Sequence, residues 1–358
     1  METYKFMVCT RCLTYNHAPF ITDTMQGFCM QNTSFPVVYC ILDDASTDGE
    51  QDVIKSFLQN HFTLKDDIAY TKGTEDYQLM FARHNTNKYC YFAVLFLKYN
   101  HKSINKDKRP YYDKWVNVSK YIAVCEGDDY WTHPQKLQMQ VDYMENHNDI
   151  SMCSHGYTIV TEDKTTICDI HVKSCDTLLD TGRVIENVEK PQLATLLYKA
   201  NIMKHYPDFF ENLSVGDYPL RVFAAISGGI YYFDSCLSCY RSLSSSSWTK
   251  KMLFDTTAYV THLNRLIDFA ERLDIYTKGD YHNNILRRID YCTCLKDITT
   301  GNISKAIKSD YFRELSIQSK MQLLIRHRFP VIWYYFAQIH LKFRFARIKL
   351  INSLFQRG

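Results

Sequence analysis

The sequence predicts an α/β fold built on a mixed, mostly parallel sheet with flanking helices, followed by a helical C-terminal region, and three observations predict it. Strand-like apolar runs recur at residues 6–13, 37–42 and 121–125. Helical spacing follows each of them: Ile21, Met25 and Phe28, then Val53, Ile54, Phe57 and Leu58, then Leu137, Val141 and Met144. Strands alternating with helices in this way pair in parallel, because each crossover returns the chain to the same edge. Residues 252–325 are patterned as helix with turns only at Lys278-Gly279 and Gly301-Asn302. The boundaries expected are therefore an α/β domain over 1–250 and a helical region over 251–358.

The first βα unit is a strand over 6–13, a loop Thr14-Tyr15-Asn16-His17 and a helix over 18–31. The loop has none of the glycines of a dinucleotide fingerprint or a P-loop, which disfavours a Rossmann dehydrogenase or a P-loop kinase and leaves nucleotide binding by Tyr stacking open. In the second unit the strand ends in Asp43-Asp44, and Thr47 with Glu50 reads as a capping box opening the next helix. A weaker strand near 68–70 and a helix from about 89 to 99 follow. Residues 100–115, with Lys102, Lys106, Lys108 and Arg109, read as a solvated loop or an acceptor-facing lid.

The run 121–125 leads straight into Glu126-Gly127-Asp128-Asp129-Tyr130-Trp131, and Thr132 with Gln135 around Pro134 predicts the start of a helix over 134–146. A strand over 152–160 precedes a polar stretch, 161–190, whose role the sequence leaves unread. Asp217 opens a helix with Pro219 in its first turn and Val222, Phe223 and Ile226 on one face, and Gly228-Gly229 ends it. A strand over 230–240 reaches Arg241, and the serine run 244–247 with Trp248 reads as a mobile loop.

Composition bounds the class. At 358 residues, 46% hydrophobic and 23% charged, the chain is long and apolar enough for one large or two ordinary domains. No basic n-region followed by an apolar h-region opens it, so its 13 Cys are expected to be free thiols in a reducing compartment. Cys9/Cys12 and Cys236/Cys239 have zinc-like spacing, but residues three apart on a strand point to opposite faces, which argues against a joint metal site. Residues 315–358 hold eight Lys or Arg and no Asp or Glu, which leaves −5 on residues 1–314 out of a total of +3. A basic, aromatic tail suggests an anionic membrane surface. Its longest apolar run, 331–337, falls far short of the ~20 residues of a spanning helix.

Two acidic clusters at the carboxyl ends of parallel strands fall where open α/β sheets bind ligands. Crowded carboxylates raise one another's pKa unless a cation neutralises them. Oxygen donors alone favour Mg²⁺ or Mn²⁺ over zinc. Asp217 has two compatible readings, an N-cap for its helix and a carboxylate able to take a proton from a hydroxyl nucleophile.

Together these motifs resemble glycosyltransferase family 2 over about residues 5–248. The resemblance is carried by Leu13-Thr14-Tyr15-Asn16-His17, by Asp43-Asp44-Ala45-Ser46-Thr47-Asp48-Gly49, and by 125–131 with Pro134, Lys136-Leu137 and Gln140. Gly216-Asp217-Tyr218 and Tyr240-Arg241 fall where the family's acceptor-side motif and following Tyr-Arg element are expected. The family has the GT-A fold and transfers a sugar from a nucleotide diphosphate with inversion. The resemblance implies that Thr14 and Tyr15 border the nucleobase, that Asp44 hydrogen-bonds it, that Asp128 lies toward the ribose and that Asp129 coordinates the metal. It implies Asp217 as general base. Leu243 stands where relatives carry a His, so any phosphate contact from that loop falls to Arg241, and Leu13 stands where many carry Pro.

The function expected is that of a cytoplasmic inverting glycosyltransferase of bacterial surface polysaccharide synthesis. It would use a nucleotide-sugar donor, a UDP-sugar by preference, with Mg²⁺ or Mn²⁺, act on a glycan or lipid-linked acceptor, and sit peripherally at the inner membrane. No nucleic-acid partner is expected. The rivals are a non-catalytic glycan or membrane adaptor of the same fold and, further off, a sugar nucleotidyltransferase, whose Gly-rich basic N-terminal loop is missing here.

Overall fold

The computed structural model describes residues 4–211, 213, 216–242 and 254–329. Among them run the strands β1 (Phe6–Thr14), β2 (Val37–Asp43), β3 (Phe62–Thr63), β4 (Tyr70–Gly73), β5 (Tyr77–His84), β6 (Cys90–Leu97), β7 (Ser119–Val124), β8 (Tyr130–Trp131), β9 (Met152–Val160), β10 (Thr166–Ile170), β11 (Thr177–Leu178), β12 (Leu197–Lys199) and β13 (Ile230–Arg241). Between them lie helices α1 (Ile21–Cys29), α2 (Glu50–His61), α3 (Pro110–Val116), α4 (Lys136–Asn146), α5 (Thr181–Ile185), α6 (Asp208–Glu211) and α7 (Asp217–Gly228). After β13 come α8 (Thr256–Tyr276), α9 (His282–Thr300), α10 (Ile303–Ala306), α11 (Asp310–Glu314) and α12 (Ile317–Arg328). The chain divides into two compact units, one of Met1–Val184, Glu189–Tyr206 and Leu220–Ser242, the other of Ile185–Val188, Pro207–Pro219 and Leu243–Gly358.

The first unit holds one mixed sheet, in the order β11-β13-β9-β12-β7-β1-β2-β6-β5-β3. Its centre is parallel, with β1 between β2 and β7 and β6 beyond β2. Runs such as Val37–Asp43, buried at every position, cover both faces with apolar side chains, which is what a parallel centre requires. The flanks turn antiparallel except for β9 beside β13. In register, Thr14 lies opposite Asp43 and Arg11 opposite Val124, so the carboxyl ends of β1, β2 and β7 share one edge.

One face of the sheet packs Cys12, Met25, Phe28, Tyr39 and Trp131, the other Phe6, Cys9, Val38 and Trp115. Cys9 and Cys12 therefore occupy opposite faces, and all 13 cysteines are free thiols. Phe28 stacks on Tyr39 at 4.8 Å and meets Trp131 edge-on at 5.0 Å. Each such fully buried ring contributes roughly 1.5–3 kcal/mol relative to exposure. Gly27 on α1 permits that approach, since a Cβ there would lie 2.9 Å from the Trp131 backbone N and O.

Three local expectations change. The helix expected over 89–99 is strand β6, buried at seven of its eight positions between β2 and β5. A short apolar run has no period that separates buried strand from buried helix, and the flanking strands decide. The capping box at Thr47 does not form: Gly49 caps α2 in the left-handed region, at φ 89°, and Glu50 turns to the 14–17 loop. The Thr132/Gln135 pattern does not cap either, because α4 starts at Lys136 and the Gln135 N–H donates to His133 Nδ1 at 3.2 Å.

In the second unit α8 and α9 pack together, and Cys294 and Ile298 of α9 meet Ala306, Phe312, Leu323 and Leu324. Among the described residues no helix is long and apolar enough to cross a membrane. The serine run 244–247, Trp248 and the apolar run 331–337 lie outside the described residues.

Candidate active site at the carboxyl edge of the sheet

Glu50 organises the loop after β1. Although fully buried, it accepts hydrogen bonds from the Thr14 hydroxyl, the His17 backbone N–H at 2.9 Å and the Ser46 hydroxyl at 2.8 Å. Burial pushes its pKa up, while these donors oppose the rise. Asn16, at φ 56°, bends the loop so that its side-chain oxygen accepts from the Thr47 N–H at 2.8 Å. Tyr15, 39% exposed, is thereby left projecting beside the buried Thr14.

The pair after β2 is closed by the protein itself. Asp43 Oδ1 accepts from the Ser46 N–H at 3.2 Å and from Gln51 Nε2 at 2.5 Å, and burial raises its pKa. Asp44 is 1% exposed. Its Oδ1 accepts from the His101 N–H at 2.7 Å, and its Oδ2 from the Lys102 N–H at 3.2 Å and Lys108 Nζ at 3.0 Å. Asn100 Nδ2 donates to the Asp44 carbonyl at 3.0 Å. The excursion after β6 is therefore a turn wrapped onto Asp44, fixed further by His101 Nε2 lying 3.0 Å from the Tyr111 hydroxyl.

The second cluster follows β7. The chain stays paired with β1 beyond the strand, through Cys125 N–H to Arg11 O at 3.2 Å and Gly127 N–H to Leu13 O at 3.0 Å. Gly127 is required here, since a Cβ would lie 2.1 Å from Thr14 Oγ1. Thr24 of α1 aims its hydroxyl at the Gly127 and Asp129 carbonyls, 3.0 and 2.6 Å away. Asp129 is 2% exposed, its Oδ1 accepting from the Arg241 N–H at 3.0 Å and its Oδ2 from Gln192 Nε2 at 2.9 Å. Burial, then the Asp128 charge, pushes its carboxyl well above the usual range. Asp128 keeps 17% of its side chain exposed, with His17 Nε2 3.8 Å from its Oδ2.

Arg241 is buried and does not point a guanidinium at either carboxylate. Its Nη1 donates to the Asp128 carbonyl at 2.7 Å, its Nη2 pairs with Asp23 of α1, and its Cζ lies 4.8 Å from the Phe20 and Tyr130 ring centres. Glu126, Asp128 and Asp129 are thus gathered, and the Arg241 guanidinium is turned to the Asp128 carbonyl and Asp23 instead of to the Asp128 or Asp129 side chain. Such a cluster suits a hard divalent cation: Glu126 is exposed, Asp128 keeps part of its carboxylate open, and Asp129 is closed.

Sequence reasoning missed Asp23 and Gln192. Neither has a local signal, because their partners lie 218 and 63 positions away. Glu50 was visible but misread as half of a capping box. Asp217 is the first residue of α7, half-buried, in the second unit. Burial holds the His262 imidazole down at about 4, an effect that the Asp217 charge opposes. The next residue, Tyr218, is anchored by its hydroxyl to the Ile185 carbonyl at 2.7 Å and by the Arg288 guanidinium 4.9 Å over its ring.

No protein-family model matches the chain. Uncharacterized proteins of Mycobacterium tuberculosis and Mycobacterium bovis are 26% identical to it over 236 residues, 66% of this chain and 59% of theirs. The chain thus spans less than two thirds of the length of the curated relatives it matches. Among solved structures it is similar to the mannosyltransferase PcManGT from Pyrobaculum calidifontis in complex with GDP-Man and Mn²⁺, with a TM-score of 0.48 at 11% identity, covering 92% of this chain and 88% of that one. It is also similar to a fragment of S. aureus TarS in complex with UDP, with a TM-score of 0.47 at 10% identity, covering 89% of this chain and 78% of that one. Likenesses this distant say nothing of what this chain binds.

Proposed function

We propose that the chain is an inverting glycosyltransferase that takes a sugar from a nucleotide diphosphate, a UDP-sugar by preference, and transfers it to a glycan or lipid-linked acceptor. The observation that carries this reading is the carboxylate cluster after β7, held against the loop after β1 with Asp128 open and Tyr15 exposed beside it. The residue pattern resembling glycosyltransferase family 2 supports it independently.

Asp128, rather than the closed Asp129, is assigned the position facing the metal, with Asp129 fixing the loop through Arg241 and Gln192. A bound Mg²⁺ or Mn²⁺ supplies Lewis-acid neutralisation of the departing diphosphate. Tyr15 stacks on the base beside Thr14. Asp44 acts through the turn 100–108 that it holds, and Arg241 is likewise a positioning residue, since its guanidinium is taken by Asp23 and the Asp128 carbonyl. Asp217 is assigned as the base. It takes the acceptor hydroxyl's proton as that oxygen bonds to the anomeric carbon and the bond from that carbon to the phosphate oxygen breaks, its electron pair leaving with the nucleoside diphosphate. The basic tail holds the protein at an anionic membrane surface where a lipid-linked acceptor lies.

The test is calorimetric binding of UDP, GDP and TDP, each with Mn²⁺ and with EDTA. Metal-dependent binding of one nucleotide is expected, and binding of none would favour the adaptor reading. Asp217→Asn should then bind that nucleotide normally and lose transfer by roughly 10²–10⁴-fold. Unchanged turnover would leave Asp217 as a helix cap alone.

A further inference from the structure

A second group of ligand-type side chains lies on the β10-β9-β13 part of the sheet and shares no residue with the carboxylate cluster. Asp169 lies in β10 and His171 just past its end, and residues two apart on an extended chain project from one face. Cys236 comes from β13, across the intervening β9. Two features bring its thiol to them. The β9–β13 register shifts on either side of Cys236, which marks a bulge that re-aims the side chain, and the β9 residue opposite is Gly156. A Cβ at Gly156 would lie 3.2 Å from Cys236 Sγ, from the Ile170 carbonyl oxygen and from the Tyr232 hydroxyl. The glycine leaves a window through which the thiol, the imidazole and the carboxylate converge, with one ligand atom of each within 4.8 Å of the others.

The hydrogen bonds orient this trio as a metal would need. His171 Nδ1 lies 2.5 Å from Asp234 Oδ1, which fixes the tautomer with its proton on Nδ1 and leaves the Nε2 lone pair facing Cys236 Sγ at 3.6 Å. A carboxylate behind a histidine ligand is the usual outer partner of a metal-bound imidazole. Two ligands held at about 2.3 and 2.0 Å from a tetrahedral zinc lie about 3.5 Å apart, close to the spacing observed. The Thr158 hydroxyl donates to Asp169 Oδ1 at 2.6 Å, leaving Oδ2 as its second donor atom. His171 is 42% exposed and, with Asp234, lines a cleft of about 680 Å³ that also contains Lys173, Arg183 and Glu189, so an ion can enter from solvent.

We propose that Asp169, His171 and Cys236 bind one zinc-class transition-metal ion, with Asp234 as the partner that orients His171 and a fourth position open to water. Binding replaces the thiol proton of Cys236 with the metal, and that proton leaves to solvent. A thiolate and an imidazole select zinc or cobalt over the Mg²⁺ or Mn²⁺ suited to the oxygen-only cluster.

The test uses the reduced, chelator-stripped full chain titrated with Co²⁺ and then Zn²⁺. One equivalent of Co²⁺ should give a thiolate-to-cobalt charge-transfer band with d–d bands of tetrahedral strength, and Zn²⁺ should displace it. Cys236→Ser should abolish the charge-transfer band. The exposed His171→Gln should weaken binding at least about tenfold, as should Asp234→Asn. Asp128→Asn, at the position assigned to the oxygen-only site, should leave the band unchanged. Absence of the band in the unaltered protein, or its survival in Cys236→Ser, would overturn the proposal. So would a His171→Gln chain that binds Co²⁺ as tightly as the original.

Discussion

Asp43-Asp44 and Asp128-Asp129 follow two strands that flank the same central strand and end on the same edge of the sheet, yet the fold treats them differently. The first pair is closed. Ser46 and Gln51 take Oδ1 of Asp43, whose Oδ2 is buried away from solvent, and the turn at 101–108 takes both oxygens of Asp44. The second pair is divided: Asp129 is consumed by Arg241 and Gln192, whereas the Asp128 carboxylate, 17% exposed, has His17 Nε2 at 3.8 Å. A carboxylate does chemistry when the protein leaves it partly unsatisfied at the surface. One that is buried and held by the protein's own donors is a structural group, whatever its sequence context suggests.

The largest test of this contrast is Asp128→Asn. It removes the partly open charge of the pair without filling a buried site, so metal-dependent nucleotide binding should be lost and transfer should fall by roughly 10²-fold or more, with the melting temperature nearly unchanged. Calorimetry with and without Mn²⁺ reads the first effect. Retained metal dependence would return the role to Asp129.

A middle-sized effect is expected at Asp44→Ala, which strands the buried His101 N–H and removes the partner of Lys108. Urea unfolding should show a loss of about 2–4 kcal/mol. If stability is untouched and only nucleotide affinity falls, Asp44 reads the base directly and the two pairs are more alike than the hydrogen bonds imply.

The smallest effect belongs to Asp43→Asn. The amide carbonyl can keep both bonds made by Oδ1, while the new NH₂ replaces Oδ2, a buried atom with no hydrogen-bond partner among the described residues. Burial raises the folded-state pKa of Asp43, so its contribution is full below the unfolded value of about 3.9 and is lost as pH rises through the raised folded value. The variant escapes that loss. Its stability relative to the parent should climb as pH rises from about 4 toward 7, measured by denaturant midpoints. A parent that gains on the variant over that range would mean that the Asp43 charge is stabilising.

Much of the architecture was legible because it is local. The strand over 152–160 matches β9, the turn at Gly301-Asn302 separates α9 from α10, and Cys9 and Cys12 fall on opposite faces as a strand requires. β6 was not legible, because an apolar run of eight residues carries no period that tells strand from helix until neighbours supply hydrogen bonds on both sides. The stretch 161–190, unread from the sequence, supplies β10, β11 and α5, with Asp169 and His171 beside Cys236. Its side-chain partners come from another strand, so no window of the chain contains the cluster.

The sequence by itself determined the alternation of strand, carboxylates and helix, and with it the parallel centre and the shared edge. These follow from periodicity and crossover geometry, properties that a short segment carries alone. Only the tertiary structure decided which carboxylate stays open. That depends on Arg241 reaching Asp23 across 218 positions, on Gln192 reaching Asp129, and on Gly127 having no side chain where Thr14 passes. Burial and hydrogen-bond satisfaction are set by whatever packs against a group, and a distant partner leaves no mark on the local pattern.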